Sequence, residues 1–227
     1  MRKLCFLFAS RHRMVPLVLT FILTLGLIGQ FGYALELGAN LLAYVSERFG
    51  EAAEKRLLAW QTLANDQELT EDLEKLNQVN DFFNRVRFRS DFEHWGREDY
   101  WATPVEMLAT NAGDCEDYSI AKYFTLKELG VDPGKLQITY VKALTLNQAH
   151  MVLAYYANPD AEPLILDNLD KSIRPASERE DLLPVYSFNA EGLWLTKFQI
   201  SNNKYVSGPE KLNHWLDLLK RQQKLGQ

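Results

Sequence analysis

The amino-acid sequence predicts an α+β fold, a helical N-terminal part followed by an antiparallel β-sheet. Three observations predict it. Apolar residues recur at helical spacing through two long stretches between residues 40 and 86, and a further helix begins at Cys115. Beyond residue 135, short runs rich in β-branched and aromatic residues alternate with turn residues.

Leu41, Leu42, Val45, Phe49, Ala52, Ala53, Leu57 and Trp60 mark an amphipathic helix over residues 40–63, broken near Gly50. Leu69, Leu73, Leu76, Val79 and Phe83 mark a second helix or helix pair over 66–86. Residues 87–101 are rich in aromatics and charge without a period, which reads as a long loop. Thr103, Pro104 and Glu106 start a short helix with a threonine cap, a first-turn proline and a glutamate that closes a capping box. Asn111, Ala112 and Gly113 form a turn, and the helix that starts at Asp114 and Cys115 runs through Ile120, Ala121, Phe124, Leu126 and Leu129 to Gly130, a C-terminal stop. Strands are predicted over 136–144, 150–157 and 163–169, with one or two more over 186–200 around a turn at Glu191 and Gly192. Together they form an antiparallel meander, and a helix over 209–223 closes the chain.

The first thirty-odd residues have a composition of their own. Arg2, Lys3, Arg11 and Arg13 precede an apolar run from Met14 to Ile28, the pattern of an export signal, and Gly32 and Ala34 supply small residues for cleavage after Ala34. Residues 1–34 then form the signal and 35–227 one exported domain. An uncleaved anchor is the competing reading, although a spanning helix needs about 20 apolar residues. The chain has 227 residues, with 25 Lys and Arg against 30 Asp and Glu, and a net charge of -5 offers no basic stripe for nucleic acid. Its two cysteines are Cys5 and Cys115. Loss of Cys5 with the signal leaves Cys115 a lone thiol in an oxidising compartment, either a buried small hydrophobe or a working group.

At the first turn of a helix, free amides and the macrodipole favour a thiolate and can also hold an oxyanion, so the position suits acyl chemistry. A thiolate needs a base, and the base an orienting acceptor. His12 belongs to the signal, His94 to the aromatic loop and His214 to the last helix, which leaves His150, at the head of a strand, as the base. Asp167 ends the apolar run Pro163-Leu164-Ile165-Leu166 and can be carried beside the imidazole by an adjacent strand. Asp114, Glu116 and Asp117 crowd the thiol and oppose its ionisation. Acids are favoured in a first helical turn, which accounts for all three; a bound hard cation, Ca2+ above all, is the sharper account.

The segment Trp101 to Gly130, with Gly113-Asp114-Cys115-Glu116-Asp117 at its centre, together with Ala149-His150-Met151-Val152-Leu153 and Leu166-Asp167-Asn168, resembles the bacterial transglutaminase-like cysteine proteinases of the LapG family. The resemblance covers essentially the whole of residues 35–227. It implies a papain-like, transglutaminase-like fold with Cys115, His150 and Asp167 as triad, and Ca2+ held by Asp114, Glu116 and Asp117. It further implies a periplasmic protease that clips a large surface adhesin near its N-terminus at a pair of alanines, releasing cells from a biofilm. A LapD-type inner-membrane receptor for cyclic di-GMP is the implied regulatory partner.

Two rival functions use the same residues. A transglutaminase-like acyl transferase passes the acyl group to an amine instead of water. A binding module keeps the fold without catalysis, a reading that an intact Cys115, His150 and Asp167 disfavour.

Overall fold

Residues 34–189, 193–195, 204–207 and 213–225 are described in a computed structural model of the chain. Residues 1–33 of the expected export signal and the expected turn at Glu191 and Gly192 fall outside them. Among the described residues no helix is long and apolar enough to cross a membrane.

The N-terminal helices are α1 (Ala39–Phe49), α2 (Glu51–Ala64) and α3 (Asp72–Phe83). The break at Gly50 has a backbone cause: its φ of 87° lies where an L side chain is strained. Residues 87–101 are not the uninterrupted loop that their irregular pattern suggests. They hold a two-residue strand β1 (Arg87–Phe88) and a five-residue helix α4 (Asp91–Trp95), ended by Gly96 at φ 64°. Elements this short carry no period that a sequence could display.

Next come α5 (Pro104–Thr110), β2 (Ala112–Gly113) and α6 (Cys115–Glu128). The capping box that opens α5 is formed: Thr103 Oγ1 accepts from the Glu106 amide at 3.2 Å and Glu106 Oε2 from the Thr103 amide at 2.7 Å. Strand β2 runs parallel to β1, pairing Arg87 with Ala112 and Phe88 with Gly113, and so brings the segment before α4 alongside the turn that enters α6.

A seven-stranded antiparallel sheet follows, built from β3 (Leu136–Ala143), β4 (Gln148–Tyr155), β5 (Leu164–Leu166), β6 (Arg174–Pro175), β7 (Leu182–Phe188), β8 (Leu193–Leu195) and β9 (Lys204–Ser207). Its order is β6-β5-β4-β3-β7-β8-β9. The expected meander holds on each side of β3, but the chain crosses from the β6 edge to place β7 on the free side of β3, pairing Tyr140 with Tyr186. The last helix, α7 (Asn213–Leu225), is described from four residues beyond the expected start.

The core lies between the helices and one face of the sheet. Every residue of α6 from Asp117 to Leu126 is buried, as expected of a helix enclosed on all sides. Leu57, Trp60, Leu76 and Phe83 meet Ile120, Tyr123 and Leu126 of α6, with Ile138 and Leu153 of the sheet beyond. Burial of each such large side chain contributes about 1.5–3 kcal/mol. Trp60 Nε1 donates to Thr125 Oγ1 at 2.7 Å, satisfying the indole inside that core. Helix α7 joins through Trp215, stacked on Phe124 at 5.6 Å, and through Arg221, which donates to Glu106, Tyr100 and the Trp101 carbonyl.

Candidate active site

Cys115 is the first residue of α6, with Asp114 as the capping position. Its half-buried side chain lines a cleft of about 650 Å³ together with His150, Met151, Trp101, Tyr140 and Tyr186. The thiol donates to Glu116 Oε2 at 3.0 Å, and the Met151 amide bonds to the sulfur. Burial pushes the thiol well above its ordinary value; the charge and hydrogen bond of Glu116 and then the charge of Asp114 add to this, against the Met151 amide.

The register of β4 and β5 explains how His150 finds Asp167. Leu153 pairs with Leu166. The position after Leu166 therefore falls level with Val152, diagonal to His150 on the same face, within reach of long side chains. His150 Nε2 lies 2.7 Å from Asp167 Oδ1, both groups buried. Asp167 Oδ1 also accepts from the amides of Asn168 at 2.6 Å and Leu169 at 3.1 Å. Burial would push this carboxyl up, but the hydrogen bond and charge of His150 and then the bond from Arg179 hold it well below the usual carboxylate range. With Nε2 turned to the carboxylate, Nδ1 is the nitrogen available to a thiol.

Beneath this pair lies a charge network that local sequence does not announce. Arg179 Nη2 donates to Asp167 Oδ2 at 2.7 Å, and Asp181 takes both Arg179 Nε and Nη2 at 2.9 Å. Lys122, fully buried on α6, donates to the Asp167 carbonyl and to Asn84 Oδ1, each at 3.0 Å. Burial pushes the Lys122 ammonium down to about 7, against the charge of Asp167.

The three acids around the thiol take different places. Asp117 is fully buried, its Oδ1 accepting from the Ala102 amide at 2.7 Å and its Oδ2 from the Asp114 amide at 3.2 Å. Asp114 Oδ2 accepts from the Asp91 amide at 3.3 Å, while its Oδ1 is buried with no partner among the described residues. Burial and then the charges of Glu116 and Asp117 push Asp114 far up. Asp91 is itself pushed up to about 6 by burial, the Tyr100 amide opposing at 2.5 Å.

Carboxylate oxygens of Asp91, Asp114 and Asp117 lie within 4.8 Å of one another, as do those of Asp91, Asp99 and Glu116. Such a dense set of hard oxygen donors, one oxygen buried without a hydrogen bond, fits a divalent cation. Asp91 and Asp99 were not legible as members: β1, β2 and α4 bring them here from a stretch without a pattern.

The cleft wall also includes Asn213 and His214 of α7, a helix whose sequence shows only amphipathic packing. Trp101 stacks between Phe188 at 5.6 Å and His214 at 5.7 Å, and His214 Nε2 lies 3.4 Å from Asp99 Oδ2. His94, by contrast, is bonded to Thr110 Oγ1 at 3.0 Å, away from the cleft lining.

Residues 46–195 match the family model of the bacterial transglutaminase-like cysteine proteinases. No curated protein matches the chain. Among solved structures, Legionella pneumophila LapG is 43% identical with a TM-score of 0.69, covering 80% of this chain and 95% of that one. EGTA-treated Legionella pneumophila LapG is 44% identical with a TM-score of 0.70 and the same coverage, 80% and 95%. Its calcium-bound form is 42% identical with a TM-score of 0.66, covering 80% of this chain and 98% of that one. With the fold, the cysteine-headed helix and these likenesses in agreement, the chain belongs to the bacterial transglutaminase-like cysteine proteinases.

Proposed function

We propose that the protein is a calcium-dependent cysteine endopeptidase of the periplasm that cleaves the N-terminal region of a large surface adhesin, at a pair of alanines, and so promotes release from a biofilm. The observation that carries the reading is the His150 and Asp167 pair at 2.7 Å, with the imidazole lining the same cleft as Cys115.

Cys115, His150 and Asp167 act as the triad. Nδ1 of His150 takes the thiol proton, and Asp167 holds the Nε2 proton and stabilises the imidazolium. The thiolate adds to the scissile carbonyl, and backbone amides at the start of α6 hold the oxyanion. Collapse breaks the C–N bond as the imidazolium gives its proton to the leaving amine. Water, deprotonated by His150, then adds to the thioester, and loss of the Cys115 thiolate completes hydrolysis.

Asp114, Glu116 and Asp117, joined by Asp91 and Asp99, are the residues that would hold Ca2+. Both oxygens of Asp117 already accept amides, each keeping a second lone pair. When bound, the cation supplies positive charge that offsets the carboxylates opposing thiol ionisation. The orphaned Asp114 Oδ1 supports this reading, as does the calcium-bound form of Legionella pneumophila LapG.

The substrate and control by a LapD-type inner-membrane receptor for cyclic di-GMP rest on the family likeness, and the export signal over residues 1–34 on the basic residues and apolar run that open the chain. Incubation with an adhesin N-terminal fragment and a labelled amine tests the reaction class. Chain cleavage without label incorporation is the expected result; incorporation without cleavage would identify an acyl transferase.

A further inference from the structure

Deepening the triad reading above and resting on it, we infer that Arg179 is a positioning residue of the reaction: it clamps the far oxygen of Asp167, so that the near oxygen stays on His150 and the imidazole keeps one tautomer. The geometry is specific. Asp167 presents Oδ1 to His150 and Oδ2 to Arg179, both at 2.7 Å, so the two partners occupy opposite ends of one carboxylate and fix its plane. Arg179 is 4% exposed, out of reach of bulk screening.

Arg179 is itself held. Its amide donates to the Ala176 carbonyl at 3.0 Å, its carbonyl accepts from the Leu182 amide at 3.0 Å, and the two Asp181 oxygens bracket its guanidinium at 2.9 Å. The Asp181 carbonyl accepts from the Leu144 amide at 2.8 Å, tying the bracket to the end of β3. A bidentate, planar clamp of this kind is a use for arginine that lysine cannot reproduce.

The charges also balance in a way that catalysis needs. Arg179 alone would cancel the charge of Asp167 and leave nothing to stabilise an imidazolium. Asp181 neutralises Arg179, so the three side chains leave one net negative charge beside the ring. Arg179 with Asp181 thus orients the acceptor without consuming its charge, while Lys122 is bonded to the Asp167 carbonyl rather than to its carboxylate.

The test uses Arg179→Gln and Arg179→Lys in the full chain, with two readouts. Nitrogen-15 NMR of the His150 ring reports its tautomer without any substrate, and steady-state cleavage of the adhesin fragment separates kcat from KM. Wild type should show the Nε2–H tautomer alone. Arg179→Gln should show a mixture, with kcat down roughly 10- to 100-fold, the scale seen when a group that orients a metal-bound histidine is removed, and KM unchanged. Arg179→Lys keeps the charge but cannot span both carboxylates, and should recover part of each. Wild-type tautomer and kcat in Arg179→Gln would overturn the inference. Should that variant not fold, Arg179→Lys decides: a single tautomer with wild-type kcat and only a lower melting temperature makes Arg179 structural. Failure of wild type to cleave would sink the protease reading instead, and the tautomer readout would still judge Arg179.

Discussion

His150 and Asp167, 17 positions apart, meet through a buried 2.7 Å hydrogen bond. The fold itself orients the ring, and in the proposed triad its other nitrogen serves the thiol. Asp167→Asn preserves the shape but removes the anion and favours the wrong tautomer. Loss of kcat by about 10⁴, the scale of the same change in other triads, is expected in a cleavage assay.

Gly113 sits where no side chain fits. A Cβ there would lie 2.8 Å from Asp117 Oδ2 and 2.9 Å from Asp117 Cβ. Asp117 cannot step aside without losing the Ala102 amide at 2.7 Å. Gly113→Ala is expected to cost about 1–3 kcal/mol in denaturant unfolding, the range of overpacked sites.

Lys122 makes stability depend on pH. Its folded value of about 7 lies below the ordinary lysine value, so between about pH 7 and about pH 10 the unfolded chain binds more protons than the folded one. Its contribution therefore grows as pH rises through that window, by up to about 1.4 kcal/mol per pH unit. Denaturant unfolding at about pH 7 and about pH 9 should show this slope in wild type and its loss in Lys122→Met.

Calcium should stabilise the fold as well as activate it. Saturation at about 100 times Kd corresponds to about 2.7 kcal/mol. Thermal unfolding should shift upward on adding Ca2+ and back on adding a chelator, and Asp114→Asn, which removes the charge of the carboxylate with the orphaned oxygen, should shrink the shift.

What local sequence reveals, and what it does not, follows from the range of the interactions. The box of Thr103 and Glu106, the break at Gly50 and the start of α6 at Cys115 depend on neighbours three or four positions away and are legible in the chain. So is the antiparallel character of the sheet, from its short β-branched runs. The return of β7 to β3 is not, since alternation shows that a strand exists but not which strand it pairs with. The roles of Asp91 and Arg179 are illegible in the sequence for the same reason. Each reaches its partner from a distant element, Asp91 through the β1 and β2 ladder and Arg179 across the chain between β5 and β7. Neither has a local signal beyond an ordinary surface charge.

The calcium-dependent protease reading is tested most directly by cleavage of a purified adhesin N-terminal fragment by wild type and by Cys115→Ala, each with Ca2+ and with chelator. Cleavage by wild type with Ca2+, and under no other condition, is the expected result. A fragment left whole under every condition, or cut equally by Cys115→Ala, would contradict it.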